Sequence, residues 1–298
     1  MSEGFAAYLD LYEANKWSIR ALSLGCATFY AVLYFGIKAA VTKYADRCWS
    51  QDAKSSWIGF INLTEPQKFL YVSYITSAIN ALGCLTFMYW GTTSCDPPAD
   101  LRKDDLLFGN TYMRNEYCVD HPNIWEIYCL SQFLGYLCFD LVICVFFIGD
   151  LTTPAALQNL LHHFLGIVGA VGALVTGRYI LTLSVASCIN ELSTPNVNIR
   201  YFLAVHKKTN GLLYIVNGLT FTVLFFIFRN VWQTWMVFRV LLPAFYRDNF
   251  GNNEDNVFIT ECLWCLMAMY FTLCGLNALW FHKIFSGCMK TLRKPKAK

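Results

Sequence analysis

Four titratable side chains stand inside stretches otherwise suited to lipid. Two adjacent histidines, His162 and His163, open NLLHHFLGIVGAVGALVTG (residues 159–177), which carries no charge until Arg178. Asp140 lies in GYLCFDL and Glu191 in NELSTP. Ionisable groups in a membrane span are costly, so they usually face the bundle interior and mark function. A carboxylate holding an imidazole is the orienter–base arrangement of general base catalysis, able to take a proton from an acceptor hydroxyl or amine. An imidazole can also attack an activated acyl group and carry it briefly. Both describe acyl transfer within a membrane. The competing reading is purely structural: such groups satisfy one another and pin helices, at about 0.6–2 kcal/mol per contact.

Position along the chain argues that these groups meet. FFIGDLTTPAAL joins two apolar runs; Gly149 and Asp150 end one helix, Thr153 caps the next and Pro154 occupies its first turn. Asp140 lies nine residues before Gly149, and His162 nine residues after Thr153. At 1.5 Å per residue each is about 13 Å from the shared turn, so an antiparallel pair brings carboxylate and imidazoles to one level. Glu191 follows Tyr179 by 12 residues, about 18 Å from the opposite face and near the same depth. Asn80, Asn217 and Asn277 add single amides in other spans, predicting a wet or substrate-filled centre. His162, His163 and Asp140 are therefore the candidate catalytic residues. Metal chemistry is the competitor. A di-iron centre needs several histidine clusters, and the chain has 5 histidines, with His121 and His206 in loops. Adjacent helical residues point about 100° apart and rarely share one ion, so no metal site is expected and a single zinc is the surviving alternative.

The elements that must position these residues are membrane helices. Of 298 residues, 56% are hydrophobic and only 14% charged, where a soluble domain is about a quarter charged. A net charge of +3 with no basic stripe excludes nucleic acid as a partner. A span needs about 20 apolar residues. Candidates fall near 18–40, 68–90, 126–149, 154–177, 179–194, 212 to beyond 229, and 258–284. The fifth is short and is expected to stop at STP, since Pro195 disfavours helix at Thr194. Residues 231–245 either extend the sixth span or lie along the interface. Trp17, Trp90, Trp125 and Trp280 read as an aromatic belt at span ends. The prediction is an all-α polytopic transmembrane bundle of about seven spans.

Basic residues set the orientation. With seven spans, one side receives Lys43, Arg47, Lys54, Arg200, Lys207, Lys208 and the tail lysines; the other receives the acidic 91–125 loop and YRDNFGNNEDN. The C-terminus is thus expected in the cytosol. The N-terminus lacks the basic n-region of a signal peptide and the arginine-rich character of a transit peptide, so the first span itself is expected to direct insertion. The tail ends KPKAK, the spacing of a dilysine signal for retrieval to the endoplasmic reticulum, or else an ordinary positive-inside tail. Most of the 13 cysteines sit in apolar runs as small hydrophobes. Cys262 and Cys265 form a CxxC with no second pair, a weak metal signal. Cys95 and Cys118 share one loop and can pair if it faces an oxidising lumen.

Several ordered motifs resemble the TLC-domain family, the membrane fold shared by ceramide synthases and related lipid-homeostasis proteins. They are GYLCFDL, the histidine pair, NELSTPNVNIRYFL, VLFFIFRN and LNALWFHKIFSGC, spread over roughly residues 66 to 290. The resemblance implies residues 1–65 as an N-terminal tail, first span and basic loop, 66–290 as the TLC domain, and 291–298 as a basic cytosolic tail. It implies six helices around a lipid cavity with one further span outside. In ceramide synthases the paired histidines and inward aspartates are catalytic, with acyl-CoA as donor; His162 and His163 match the pair and Asp140 the aspartate. The synthase signature has an Arg-Lys-Asp-Phe stretch before the histidines, where this chain has Pro-Ala-Ala-Leu-Gln-Asn, and two later aspartates, where it has Glu191 alone. The acidic loop and ELSTP are closer to TLC domain-containing proteins outside the synthase branch.

The expected function is fatty-acyl transfer or lipid remodelling at a buried His-His/Asp centre. Glu191, Asn190, Asn277, Asn217, Tyr136 and Arg200 are expected to bind substrate, with no tightly bound cofactor and acyl-CoA as the donor the resemblance implies. The alternative is a non-catalytic lipid-binding protein or structural subunit of a larger membrane complex. Membrane lipids are the expected partners, together with protein subunits under that alternative. The endoplasmic reticulum is the expected membrane, with the mitochondrial inner membrane as alternative. A transporter ranks third, because paired inverted repeats with broken helices are not evident.

Overall fold

The computed structural model describes residues 3–51, 57–101, 116–149, 152–243, 245–246 and 257–292. The KPKAK motif, the acidic pair Asp104–Asp105 and most of YRDNFGNNEDN lie outside these residues. Among the described residues there is no strand, and six helices are long and apolar enough to cross a membrane. The first is α1 (Glu3–Gln51), much longer than its apolar core. Next come α2 (Glu65–Thr93), α3 (Ile124–Ile148) and α4 (Pro154–Thr176). After the broken segment described below, α7 (Leu212–Leu241) and α8 (Val257–Leu292) complete the set. Residues 231–241 thus extend the sixth span instead of lying along the interface.

Local sequence explains the helix starts. Asn123 opens α3 as a capping box: its side chain accepts from the Trp125 and Glu126 amides at 3.0 and 3.3 Å, and the Glu126 carboxylate accepts from the Asn123 amide at 2.8 Å. Thr153 caps α4 by accepting from the Ala156 amide, with Pro154 in the first turn.

The fifth span departs from the sequence reading. It does not stop at STP. Helix α5 (Arg178–Ser187) tightens into 3₁₀ turns over Cys188–Ser193, and a new helix, α6 (Thr194–Val205), continues. Pro195 sits in the first turn of α6, where its missing N–H has no intrahelical acceptor to lose. The composite still runs from one end of the bundle to the other. At its start, Gly177 has φ +62° and packs against the Tyr8 ring at the N-terminal end of α1; Tyr8 also donates its hydroxyl to the Leu174 carbonyl. At its end, the Val205 carbonyl abuts Gly59, beyond the other end of α1. Among the described residues the bundle thus has six span-length helices and one broken segment, α5–α6, running alongside them.

Helices α2, α3, α4, α8, α7 and α6 touch in that cyclic order and close a ring. Helix α1 lies outside, docked on α3 and α2. Gly135 of α3 permits that docking, since a Cβ there would lie 2.4 Å from the Ser23 carbonyl oxygen and 2.9 Å from the Cys26 Cβ. Large apolar side chains of α1 such as Trp17, Leu24 and Val32 remain exposed on the bundle's outside, as a lipid-facing surface requires. The disulfide Cys95–Cys118 ties the chain just beyond α2 to the short helix Glu116–Asp120 that precedes α3, at the end of the bundle opposite Lys207 and Lys208.

Candidate functional site

The ring lines a partly open cavity of about 700 Å³, to which all six of its segments contribute and α1 does not. Asp140 on α3 is buried in its wall and both its oxygens are engaged. Oδ1 accepts from the Ser73 hydroxyl of α2 at 2.8 Å. Oδ2 lies 3.0 Å from Nε2 of His163 on α4. Three helices are thereby joined at one carboxylate. The bond assigns His163 the tautomer with its proton on Nε2, leaving Nδ1 as the basic nitrogen. One turn before His163, Asn159 places its amide nitrogen 3.5 Å from that Nδ1.

The two histidines are not equivalent. His162, one residue and about 100° of helix rotation away, turns its ring against Trp280 of α8 at 5.3 Å, and its Nδ1 is buried with no hydrogen-bond partner among the described residues. Trp280 is therefore part of the cavity wall, not of an aromatic belt: it faces inward on α8 and donates to Gln158 at 3.1 Å.

Glu191 also reaches the cavity, carried by the 3₁₀ turns. It pairs with Arg229 of α7 at 3.5 Å and accepts from the Thr194 hydroxyl at 2.7 Å, while the Arg229 Nε–H donates to Ser193 at 3.0 Å. Arg229 sits where α7 widens into π-type turns over Phe225–Trp232, a local geometry that often accompanies functional sites. Sequence reasoning missed Arg229 as a site residue, although a lone arginine in an apolar span is itself the signal. Tyr136 lines the cavity, as does Asn80, which accepts from Gln132 at 2.8 Å.

Four of the residues expected to contact substrate are committed to the walls. Asn190 and Asn277 both donate to the Gln233 side-chain oxygen, at 3.0 and 2.9 Å. Asn217 donates to the Asn196 carbonyl at 2.8 Å. Arg200 stacks on Tyr214, its Cζ 4.2 Å from the ring centroid. These groups join neighbouring crossings, because an amide in a low-dielectric interior needs a partner and the adjacent helix supplies one.

A further arrangement was not legible in the sequence. Cys144, four residues after Asp140, sits 3.8 Å from the Asp140 Oδ2. Asp140, Cys144 and His163 present ligand-capable atoms all within 4.8 Å of one another. The expectation of no metal site rested on the adjacency of the two histidines; this cluster uses only one of them.

Six helical segments ringing a polar-centred cavity, with a further span-length helix outside, define a polytopic helical membrane protein. The TLC-domain model matches residues 67–286, and the chain belongs to the TLC-domain family. It is 29% identical over 162 residues to the uncharacterized TLC domain-containing protein YPR114W of Saccharomyces cerevisiae, covering 51% of this chain and 50% of that protein. It is 26% identical over 228 residues to TLC domain-containing protein 4-B of Danio rerio, covering 74% and 73%, and 25% identical over 258 residues to the Xenopus laevis protein of that name, covering 80% and 84%. The chain thus spans about half the length of the yeast relative. No solved structure gives a significant match.

Proposed function

We propose that this protein transfers a fatty-acyl group to a lipid hydroxyl or amine at the His163–Asp140 centre. The observation that carries this reading is the 3.0 Å contact between His163 Nε2 and the Asp140 carboxylate, both buried, on the wall of the central cavity. In the proposed step, His163 Nδ1 takes the acceptor's proton as the acceptor attacks the acyl carbonyl, and Asp140 stabilises the imidazolium through Nε2–H. The carbonyl's bond to its leaving group then breaks, and the proton passes from His163 to that group. Acyl-CoA is the proposed donor. A cavity of about 700 Å³ is within the ~300–1,000 Å³ range of small-ligand sites.

The test is purified protein given labelled acyl-CoA and a lipid-extract acceptor pool. Product is expected from wild type and not from His163→Ala. Asp140→Asn is expected to reduce the rate about 10³–10⁴-fold by misplacing the imidazole proton. His162→Ala, which removes no contact with Asp140, is expected to cost less. Wild-type rates from His163→Ala would sink the reading.

A non-catalytic lipid-binding protein or subunit is the second reading, favoured by one observation: the Asn159 amide stands against the basic nitrogen of His163. Stoichiometric partners after mild detergent extraction, with no acyl product, would support it. For the membrane we propose the endoplasmic reticulum, supported by basic loops on one face and the Cys95–Cys118 disulfide on the other. Recovery in the mitochondrial inner membrane on organelle fractionation would refute that address.

A further inference from the structure

We propose that Asp140, Cys144 and His163 form a binding site for one zinc ion. The three come from two helices with complementary spacing. Asp140 and Cys144 are four apart on α3, hence on one face, and His163 meets that face from α4. Two of the three pairwise distances lie a few tenths of an ångström to either side of those in a tetrahedral ligand set, and all three ligand atoms fall within 4.8 Å of one another. With zinc–oxygen, –nitrogen and –sulfur bonds of about 2.0–2.3 Å, ligand atoms around one ion stand about 3.3–3.7 Å apart. Here Asp140 Oδ2 lies 3.0 Å from His163 Nε2 and 3.8 Å from Cys144 Sγ, close enough for side-chain rotation to seat the ion.

Ligand chemistry selects the metal. A thiolate and an imidazole with one carboxylate suit zinc and disfavour magnesium and calcium, which take oxygen ligands. Charge agrees. On binding, the Cys144 thiol releases its proton and the His163 proton moves from Nε2 to Nδ1, with His163 staying neutral. One carboxylate and one thiolate then balance the ion's two charges, giving a neutral complex in a region where net charge is costly. An outer partner is in place as well. Asn159 lies 3.5 Å from His163 Nδ1 and 3.8 Å from Cys144 Sγ; with its amide turned, its oxygen accepts the relocated Nδ1 proton, the orientation that steadies metal-bound histidines. All three ligands line the cavity, so a fourth coordination position is open to a bound molecule. The His162 Nδ1, buried and without a partner among the described residues, belongs to a side chain on the same wall.

Zinc and base catalysis exclude each other here. Zinc takes the Nε2 lone pair and the Asp140 oxygen, and it leaves a proton on Nδ1, the nitrogen that otherwise acts as base. Zinc occupancy therefore switches the centre off. This consequence rests on the acyl-transfer reading; the metal site itself does not.

The experiment is a cobalt titration of the full-length protein, reduced, stripped of metal and held in detergent, with no acyl donor present. One cobalt per chain is expected, with a thiolate-to-cobalt charge-transfer band that zinc displaces. The band is expected to vanish in Cys144→Ser and to persist in Cys188→Ser, which disrupts the separate buried pair Cys129–Cys188, whose sulfurs lie 3.8 Å apart. Asn159→Leu is expected to weaken cobalt binding about tenfold. Because Cys144→Ser changes a single atom at a half-buried position, it leaves the fold testable, and an unchanged melting midpoint confirms that. Absence of the band in wild type, or its persistence in Cys144→Ser, overturns the site. In the acyl-transfer assay, one equivalent of zinc is expected to lower the wild-type rate at least about tenfold and to leave Cys144→Ser unaffected, since loss of the ligand lowers occupancy. Equal inhibition of both overturns the switch. An inactive protein that binds cobalt through Cys144 refutes acyl transfer and the switch built on it while upholding the metal site; an active protein without the band refutes the metal site alone.

Discussion

The Glu191–Arg229 pair allows a calculation that stands apart from any activity. Its charged atoms are 3.5 Å apart with side chains 16% and 11% exposed, so at an effective dielectric of about 20 the attraction is about 5 kcal/mol. Desolvation of two ions offsets most of that, which makes the pair as a whole nearly neutral for stability. Removing one partner is different. Arg229→Met leaves the Glu191 carboxylate with the Thr194 hydroxyl as its one remaining side-chain donor among the described residues, and Glu191→Leu leaves a guanidinium held by two hydroxyls. Each single variant is expected to lose about 3 kcal/mol or slightly more. For a chain of 298 residues, that is a fall of about 5 °C in melting midpoint at about 2 cal/mol/K per residue. The double variant removes both charges together and is expected to lose no more than either single one, giving a coupling energy of at least about 3 kcal/mol. The assay is a double-mutant cycle on detergent-solubilised protein, followed by thermal unfolding and by denaturant titration. Losses that add within about 0.5 kcal/mol would refute the claim that these two groups neutralise each other on the cavity wall.

Gly135→Leu is expected to push α1 off α3, because a Cβ there already overlaps the Ser23 carbonyl; about 1–3 kcal/mol of stability and faster proteolysis of the first span are the readouts, and an unchanged digestion pattern counts against the docking. Gln233→Leu strands the amides of Asn190 and Asn277 together and is expected to lower stability by about 2 kcal/mol or more, measured by thermal unfolding. Cys95→Ser opens a loop with a sequence separation of 23 and is expected to cost about 3 kcal/mol; reductant should bring wild type to the variant's midpoint and leave the variant unmoved.

That the chain is a bundle of span-length helices was legible in the sequence, since apolar runs of that length declare themselves locally. So was the level at which Asp140 and the histidines meet: the Thr153 cap and Pro154 fix where α4 begins, and rise per residue does the rest. Length and caps are local properties. Rotation of each helix about its own axis is not, because it depends on which faces the neighbouring helices leave open. Only the tertiary structure therefore decided that His163 faces Asp140 while His162 faces Trp280. It likewise turned Asn190, Asn217 and Asn277 into the walls, where adjacent crossings satisfied their amides. The continuation past Pro195 depended on a 3₁₀ tightening that releases a helix start, and the convergence of Cys144 with His163 depended on the packing of α3 against α4. A single chain's pattern states what each helix needs to bury; which neighbour meets that need is set when six of them close around one space.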